Sequence, residues 1–225
     1  MQRAQSHKLE VEAPNRSSRK AGNLQWQDSA ITKVHRSDLK AQRACCIWFT
    51  GLSGAGKTTL ANLLDETLYA SGRHTFVLDG DCCRNGLCSD LDFSSEDRME
   101  NVRRISEVAK LMVDAGLIVI VSLISPLIEQ RQKARELFDQ DEFIEVYLDT
   151  PLATCERRDA KGLYKKARQG LIPNFTGISS AYEPPKNPEI VLNGSNCPDE
   201  LVDRILRFLG ERSERPTQVS ASRSS

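Results

Sequence analysis

The stretch Gly51-Leu-Ser-Gly-Ala-Gly-Lys-Thr58 constrains this chain more than any other. It follows the apolar run Cys45-Cys-Ile-Trp-Phe49 and leads into Thr59-Leu-Ala-Asn-Leu-Leu64, whose leucines have helical spacing. A strand, then G-x-x-x-x-G-K-[ST], then a helix is the pattern of a phosphate-binding loop. The glycines let the backbone wrap tightly enough to aim several N–H groups at one anion. The helix start adds the positive end of its dipole. Lys57 can reach the β- and γ-phosphates of a nucleoside triphosphate, and the Thr58 hydroxyl can hold Mg2+. Gly51, Ser53, Gly54, Ala55, Gly56, Lys57, Thr58 and Thr59 are the expected ATP contacts. The competing reading, a glycine-rich turn that matches by accident, does not account for the flanks. The loop says nothing about the second substrate.

The 225 residues suffice for one α/β domain with a core. The 31 basic and 31 acidic residues balance, which argues against wholesale binding of nucleic acid, so any basic site is local. No apolar run is long enough to span a bilayer, and Met1–Lys20 lacks the apolar centre of a signal peptide. Seven scattered cysteines, none spaced C-x-x-C, fit a reduced cytoplasmic protein with free thiols. Residues 1–23 and 211–225 are expected to be disordered, and residues 24–210 to form the domain. Residues 24–43, with Trp26, Ile31 and Val34, read as a docking segment that includes one helix.

Strands and helices alternate through the rest. His74–Asp81 is a short strand ending in two acids, Asp79 and Asp81, at the sheet edge where ligands bind in open α/β folds. A helix cap or turn is the plainer role for such an Asp. Ser94 followed by Asp97 resembles a helix start, and Val102, Ile105, Val108, Ala109 and Met112 give that helix an apolar face up to Gly116. Arg98, Asn101, Arg103 and Arg104 near its start are candidates to grip an anion, with a solvated basic face as the plain alternative. Leu117–Ile124 reads as a central strand buried on both faces. Pro126 is expected to open a helix through Arg131, Arg135, Leu137 and Phe138. Phe143–Leu148 is another strand, with a helix through Cys155 after it. The basic segment Arg157, Arg158, Lys161, Lys165, Lys166 and Arg168 reads as a lid over phosphates or as a solvated helix face. Residues 171–188 read as a long functional loop, Ile190–Leu192 as a last strand and 198–210 as a closing helix. The fold class is α/β, a P-loop NTPase-type parallel sheet flanked by helices, with a basic lid segment.

Several blocks together resemble the adenylylsulfate kinase (APS kinase) family, in its stand-alone form. They are the phosphate loop, Leu78-Asp-Gly-Asp81, Phe93-Ser-x-x-Asp-Arg98, Glu100-Asn-Val-Arg-Arg104, Ile124-Ser-Pro126, Arg158-Asp-x-Lys-Gly-Leu-Tyr-Lys-Lys-Ala-Arg168 and Asn174-Phe-Thr-Gly-Ile178, in the family's order across roughly residues 24–209. The resemblance implies Mg2+-dependent transfer of the ATP γ-phosphate to the 3′-hydroxyl of adenosine 5′-phosphosulfate (APS), giving 3′-phosphoadenosine 5′-phosphosulfate and ADP. It also implies roles. Arg84, Arg98 and Asn101 hold the phosphosulfate end, with Ile124, Ser125, Lys161 and Asn174 nearby. Phe93 and Phe175 sandwich the APS adenine, and Arg158 packs on the ATP adenine. Asp81 accepts or orients the 3′-hydroxyl proton, and Lys57 is catalytic with it, on the β- and γ-phosphates. Asp79 and Thr58 support Mg2+. Ser125 matches a serine described in bacterial members as a phosphoserine intermediate; direct in-line transfer needs no such step. A homodimer is implied, with ATP sulfurylase as a separate chain, and neither nucleic acid nor a membrane as partner.

The sequence departs from the family after Asp81. Cys82 and Cys83 stand where an Asn and an aliphatic residue are usual, and Leu127-Ile128 replaces a more polar or aromatic pair. Alkylating Cys82 or Cys83 is expected to slow turnover, because both border the APS site. Two other readings stay open: a kinase of a nucleoside, nucleotide or sugar acid, and a nucleotide-binding module that has lost catalysis. Lys57, Thr58, Asp79 and Asp81 weigh against the second.

Overall fold

The computed structural model describes residues 30–213. The expected disorder of residues 1–23, the Trp26 part of the docking segment and the tail beyond residue 213 lie outside the described residues. In chain order the elements are α1 (Lys33–Leu39), β1 (Cys45–Thr50), α2 (Lys57–Ala70), β2 (Thr75–Asp79), α3 (Gly80–Arg84), α4 (Ser95–Asp114), β3 (Ile118–Ser122), α5 (Ile128–Arg135), β4 (Phe143–Leu148), α6 (Leu152–Arg158), α7 (Leu163–Arg168), β5 (Ile190–Leu192) and α8 (Pro198–Ser213).

The strands form one parallel sheet in the order β2-β3-β1-β4-β5. Every residue of β1 is buried, as a strand covered on both faces requires. Its side chains alternate between two cores. Cys45, Ile47 and Phe49 pack with Leu60 and Leu64 of α2, Tyr164 of α7 and Leu201 and Ile205 of α8. Cys46 and Trp48 pack with Val102, Ile105 and Ala109 of α4 and Ala134 of α5. Residues near the ends of β1, β2, β3 and β4 therefore converge at one edge, with Asp79 and Phe49 both in register with Ser122.

The Leu117–Ile124 run gives β3, an interior strand buried throughout and paired with β2 and with the middle strand β1, as expected. Three expectations need correcting. The helix after Pro126 begins at Ile128, because Leu127 is extended (φ −102°, ψ 139°), and a Glu183 carboxylate oxygen accepts from the Ile128 N–H at 2.8 Å; it ends at Arg135, and Leu137 and Phe138 lie in the turn beyond. The closing helix α8 runs on to Ser213, with Arg212 buried and its carbonyl accepting from Arg43 at 2.9 Å. Finally, α1 docks without burying any residue, and Ile31 and Val34 stay exposed. Polar contacts hold this segment. Lys33 pairs with Asp139, Lys40 Nζ donates to the Ala115 carbonyl at 2.9 Å, and Gln42 donates to those of His74 and Gly116 at 2.9 and 2.8 Å. Among the described residues no helix is long and apolar enough to cross a membrane.

Candidate active site

A cavity of about 990 Å³ opens at the carboxyl edge of the sheet. The phosphate loop, the β2–α3 turn, the start of α4, residues 122–126, the α6–α7 turn and residues 171–173, 175 and 176 line it. Small-molecule sites run to roughly 300–1,000 Å³, so the space is large for one ligand and suits two.

The donor end is built by the loop between β1 and α2. Gly51 approaches β4 so closely that a Cβ there would lie 2.8 Å from the Leu148 carbonyl oxygen. Gly56 starts α2 from a left-handed conformation, φ 108°. Gly51 thus serves packing, while Ser53 through Leu60 line the cavity. Lys57 is buried, and its Nζ donates to the Gly51 and Leu52 carbonyls at 3.0 and 2.8 Å. Burial lowers its amine to about pKa 8. Arg158 braces the loop by donating to the Ala55 carbonyl at 3.1 Å and to that of Gly194 at 2.7 Å. Tyr164 and Thr150 add hydroxyl bonds to the carbonyls of Ser53 and Ala55, at 2.8 and 3.0 Å.

The Thr58 hydroxyl donates to an Asp79 carboxylate oxygen at 2.8 Å and lies 3.3 Å from the Ser122 hydroxyl. The other Asp79 oxygen caps α3, accepting from the Asp81 and Cys82 N–H groups. Asp79 therefore has the cap role and also faces the loop. Asp81 is exposed and paired with Lys161 across the cavity mouth, which raises the lysine's pKa. Asp159 positions that lysine's segment by capping α7, accepting from the Tyr164 and Lys165 N–H groups at 3.0 Å each. Of the six basic residues from Arg157 to Arg168, only Arg158 and Lys161 line the cavity; Arg157, Lys165, Lys166 and Arg168 are exposed away from it.

The far end gathers Arg84, Phe93, Arg98, Asn101, Ile124, Ser125 and Phe175. The Arg84 guanidinium sits 4.3 Å over the Phe93 ring. Arg98 and Asn101, one helical turn apart on α4, face the cavity together. Arg98 donates to the Thr176 hydroxyl at 2.9 Å and the Asn174 carbonyl at 2.6 Å, joining α4 to the long loop. Asn101 is buried and its Oδ1 has no hydrogen-bond partner among the described residues. A buried acceptor of this kind is costly unless a ligand or water completes it. Arg103 and Arg104 do not join the site; they pair with Glu100 at 2.7 and 2.9 Å, and Arg104 also with Asp90. Asn174 is also off the wall. Its φ of 54° turns its carbonyl to Arg98 and leaves its side chain exposed. Phe175 is buried edge-on against Tyr164, ring centroids 5.0 Å apart. Cys82, Cys83, Leu127 and Ile128 do not line the cavity either. Sequence reasoning missed Ser122, Thr150, Thr176 and Gly194, which lie far from the motifs they support.

The family profile described as adenylylsulphate kinase matches residues 43–193. An adenylyl-sulfate kinase of Marinobacter nauticus is 56% identical over 191 residues, covering 84% of this chain and 96% of the relative. A bifunctional enzyme CysN/CysC of Xylella fastidiosa is also 56% identical over 191 residues, and there the chain spans 31% of the relative. Among solved structures, the Mycobacterium tuberculosis APS kinase CysC in complex with AMPPNP and APS superposes with a TM-score of 0.72 at 49% identity, covering 75% of this chain and 98% of that one. With its phosphate loop, its acid pair and its arginine-lined far wall in one cavity, the chain belongs to the adenylylsulphate kinase family.

Proposed function

We propose that the protein transfers the γ-phosphate of ATP to the 3′-hydroxyl of adenosine 5′-phosphosulfate. The observation that carries this reading is the continuity of the cavity. A phosphate loop at one end and the Arg84, Arg98 and Asn101 wall at the other share one space, with Asp81 between them.

Each residue has a task in it. Ser53 through Thr59 wrap the ATP phosphates with backbone N–H groups. Lys57 leaves the Gly51 and Leu52 carbonyls for the phosphates, where it neutralises charge building on the transferred group. Arg158, held flat between the loop and Gly194, offers its face to the ATP adenine. Arg84 and Arg98 match the oxyanions of the phosphosulfate, and Asn101 Oδ1 gains a donor. Phe93, covered on one face by Arg84, stacks the APS adenine on its other face, with Phe175 opposite. Lys161 releases Asp81, whose carboxylate orients the 3′-hydroxyl and accepts its proton as the new P–O bond forms and the bond to the ADP oxygen breaks.

The oxygens of Thr58 and Asp79, with Ser122 adjacent, fit Mg2+, which takes few protein ligands and completes its shell with water and phosphates. When bound, it would neutralise phosphate charge. Transfer is direct on this reading, because among the described residues no base stands beside the Ser125 hydroxyl; its neighbour is the Trp48 N–H at 3.1 Å, which can only donate. The same reading has the chain acting as a cytoplasmic homodimer supplied with APS by a separate ATP sulfurylase; light scattering that gives a monomer or a hexamer would overturn the dimer.

The experiment is ADP release from Mg-ATP with APS, run beside AMP, adenosine and gluconate. Turnover with APS alone is expected. Turnover with another acceptor would mean the arginine and phenylalanine roles are wrong, and retained ATP and APS binding without ADP would favour a module that has lost catalysis.

A further inference from the structure

Ser125 lines the cavity but takes no part in the direct transfer, and what stands behind it is unassigned. Ser125 is only 3% exposed and its φ is 36°, a left-handed conformation that a serine adopts at a cost. Three side chains hold it there. Thr50 donates to the Ile124 carbonyl at 2.8 Å and is itself bonded by the Tyr182 hydroxyl at 2.9 Å. Arg131, buried and paired with Glu145 at 2.7 Å, donates to the Ser125 carbonyl at 2.6 Å. Trp48, fully buried in β1 against Phe143, reaches the Ser125 Oγ with its Nε1 at 3.1 Å.

The last contact has a direction. An indole N–H donates and never accepts, so the serine oxygen must be the acceptor there. The hydroxyl proton then has to be used elsewhere, and among the described residues no acceptor lies within its reach. Ser125 lines the cavity, so the open side is the ligand side. We propose that Trp48 is a positioning residue that fixes the Ser125 hydroxyl as a hydrogen-bond donor to the acceptor nucleotide. The indole occupies a lone pair and Thr50 and Arg131 stop the backbone from turning, so the O–H enters the cavity pre-aimed at an oxygen or ring nitrogen of the bound nucleotide. A residue held in this way discriminates between acceptors without taking part in bond making. The inference rests on APS being the acceptor.

The test is a double-mutant cycle of Trp48→Phe and Ser125→Ala, with kcat and the KM values for APS and ATP measured separately. Losing one neutral hydrogen bond corresponds to about three- to tenfold in affinity. Ser125→Ala is expected to raise the KM for APS by about that factor, with kcat and the KM for ATP within about twofold. Trp48→Phe in the wild-type background should do the same, and in the Ser125→Ala background should add less than about twofold. An equal cost of Trp48→Phe in both backgrounds would make the indole a packing residue only and overturn the proposal. So would an unchanged KM for APS in Ser125→Ala, which carries the test alone if Trp48→Phe does not fold. Loss of kcat in Ser125→Ala with APS binding intact would replace the proposal with a covalent role for the serine. Absence of APS turnover in the wild-type protein would instead be a failure of the functional reading itself.

Discussion

The two ends of the cavity are built differently. At the phosphate loop the polar side chains largely have internal partners: Lys57 on the Gly51 and Leu52 carbonyls, Thr58 on Asp79, Arg158 on Ala55 and Gly194, Tyr164 on Ser53. At the far end Phe93 is 56% exposed, and Asn101 keeps a buried acceptor with no donor among the described residues. Both ends hold their cations on internal partners, Lys57 on Gly51 and Leu52 and Arg98 on Thr176 and Asn174, but the far end also leaves the buried Asn101 acceptor for its ligand to complete. The loop end is one contiguous stretch of chain, whereas the far end is assembled from residues 84, 93, 98, 101, 124–125 and 175–176. Substitutions in the first should therefore act on the chemical step, and substitutions in the second on APS binding.

The sharpest way to break this contrast is Lys57→Met. It removes the cation that meets the transferred phosphate, and kcat should fall by about 10²–10³ while calorimetry finds APS affinity unchanged. A parallel loss of APS binding would mean that the two ends are not separable. Arg84→Lys probes the other end. A lysine keeps the charge but loses the planar fork and its stacking on Phe93, so the KM for APS should rise about tenfold to a hundredfold, with that for ATP within about twofold. An equal rise for ATP would refute the assignment.

The contrast also explains what could be read from the sequence. The strand, loop and helix around Lys57 are neighbours in the chain, so an apolar run, four residue types and a leucine spacing sufficed. Asp79 was legible as an acid at a strand end. Its meeting with Thr58 came only through what the family resemblance implied for Mg2+, and the nearness of Ser122 was not legible, because sheet order sets Asp79 opposite Ser122. Charge alone could not separate Arg158 and Lys161 from Lys165, Lys166 and Arg168. Helix phase and the Asp159 cap on α7 decide which of them face inward. The family's blocks carried Asn174 into the site as a side chain, but a left-handed backbone presents its carbonyl instead. The arginines after Arg98 looked equivalent to it, yet Glu100 sits within one turn and pairs with them both.

Titration gives a further test of the loop end. Burial holds the free Lys57 amine at about pKa 8, below its ordinary 10.5, so in the empty protein the charged form is disfavoured. That penalty weakens the fold below pH 8 and is relieved as pH rises from 8 towards 10.5, where the unfolded chain binds the extra proton. Phosphates favour the charged amine. Below pH 8 ATP meets a lysine already protonated; above it, binding must take up a proton, so affinity should be about tenfold weaker at pH 9 than at pH 7. Calorimetry in buffers of different ionisation enthalpy would detect that uptake at pH 9, and Lys57→Met should abolish it. Equal affinities at the two pH values would place the free amine's titration well above 8.

The smallest effect concerns the cysteines that set this chain apart. Cys83 packs against the core on the α4 side of the sheet, and burial pushes its thiol up to about 11, so it stays protonated and unreactive at neutral pH. Cys82 is exposed on α3, one residue after Asp81, with its N–H on the Asp79 carboxylate, but it does not line the cavity. Iodoacetamide at pH 7.5 should label Cys82 and the exposed Cys197 and spare Cys83, as peptide mass spectrometry would read directly. A group added outside the cavity acts on APS only by shifting α3, and perturbations at surface positions rarely exceed about 0.5 kcal/mol, so the KM for APS should rise by about twofold. Labelled Cys83 would show that α3 opens far more readily than its packing implies. A tenfold loss on labelling Cys82 alone would extend the ligand-completed end of the cavity to the outer face of α3, and a rate untouched by full labelling would confine it to the residues that line the space.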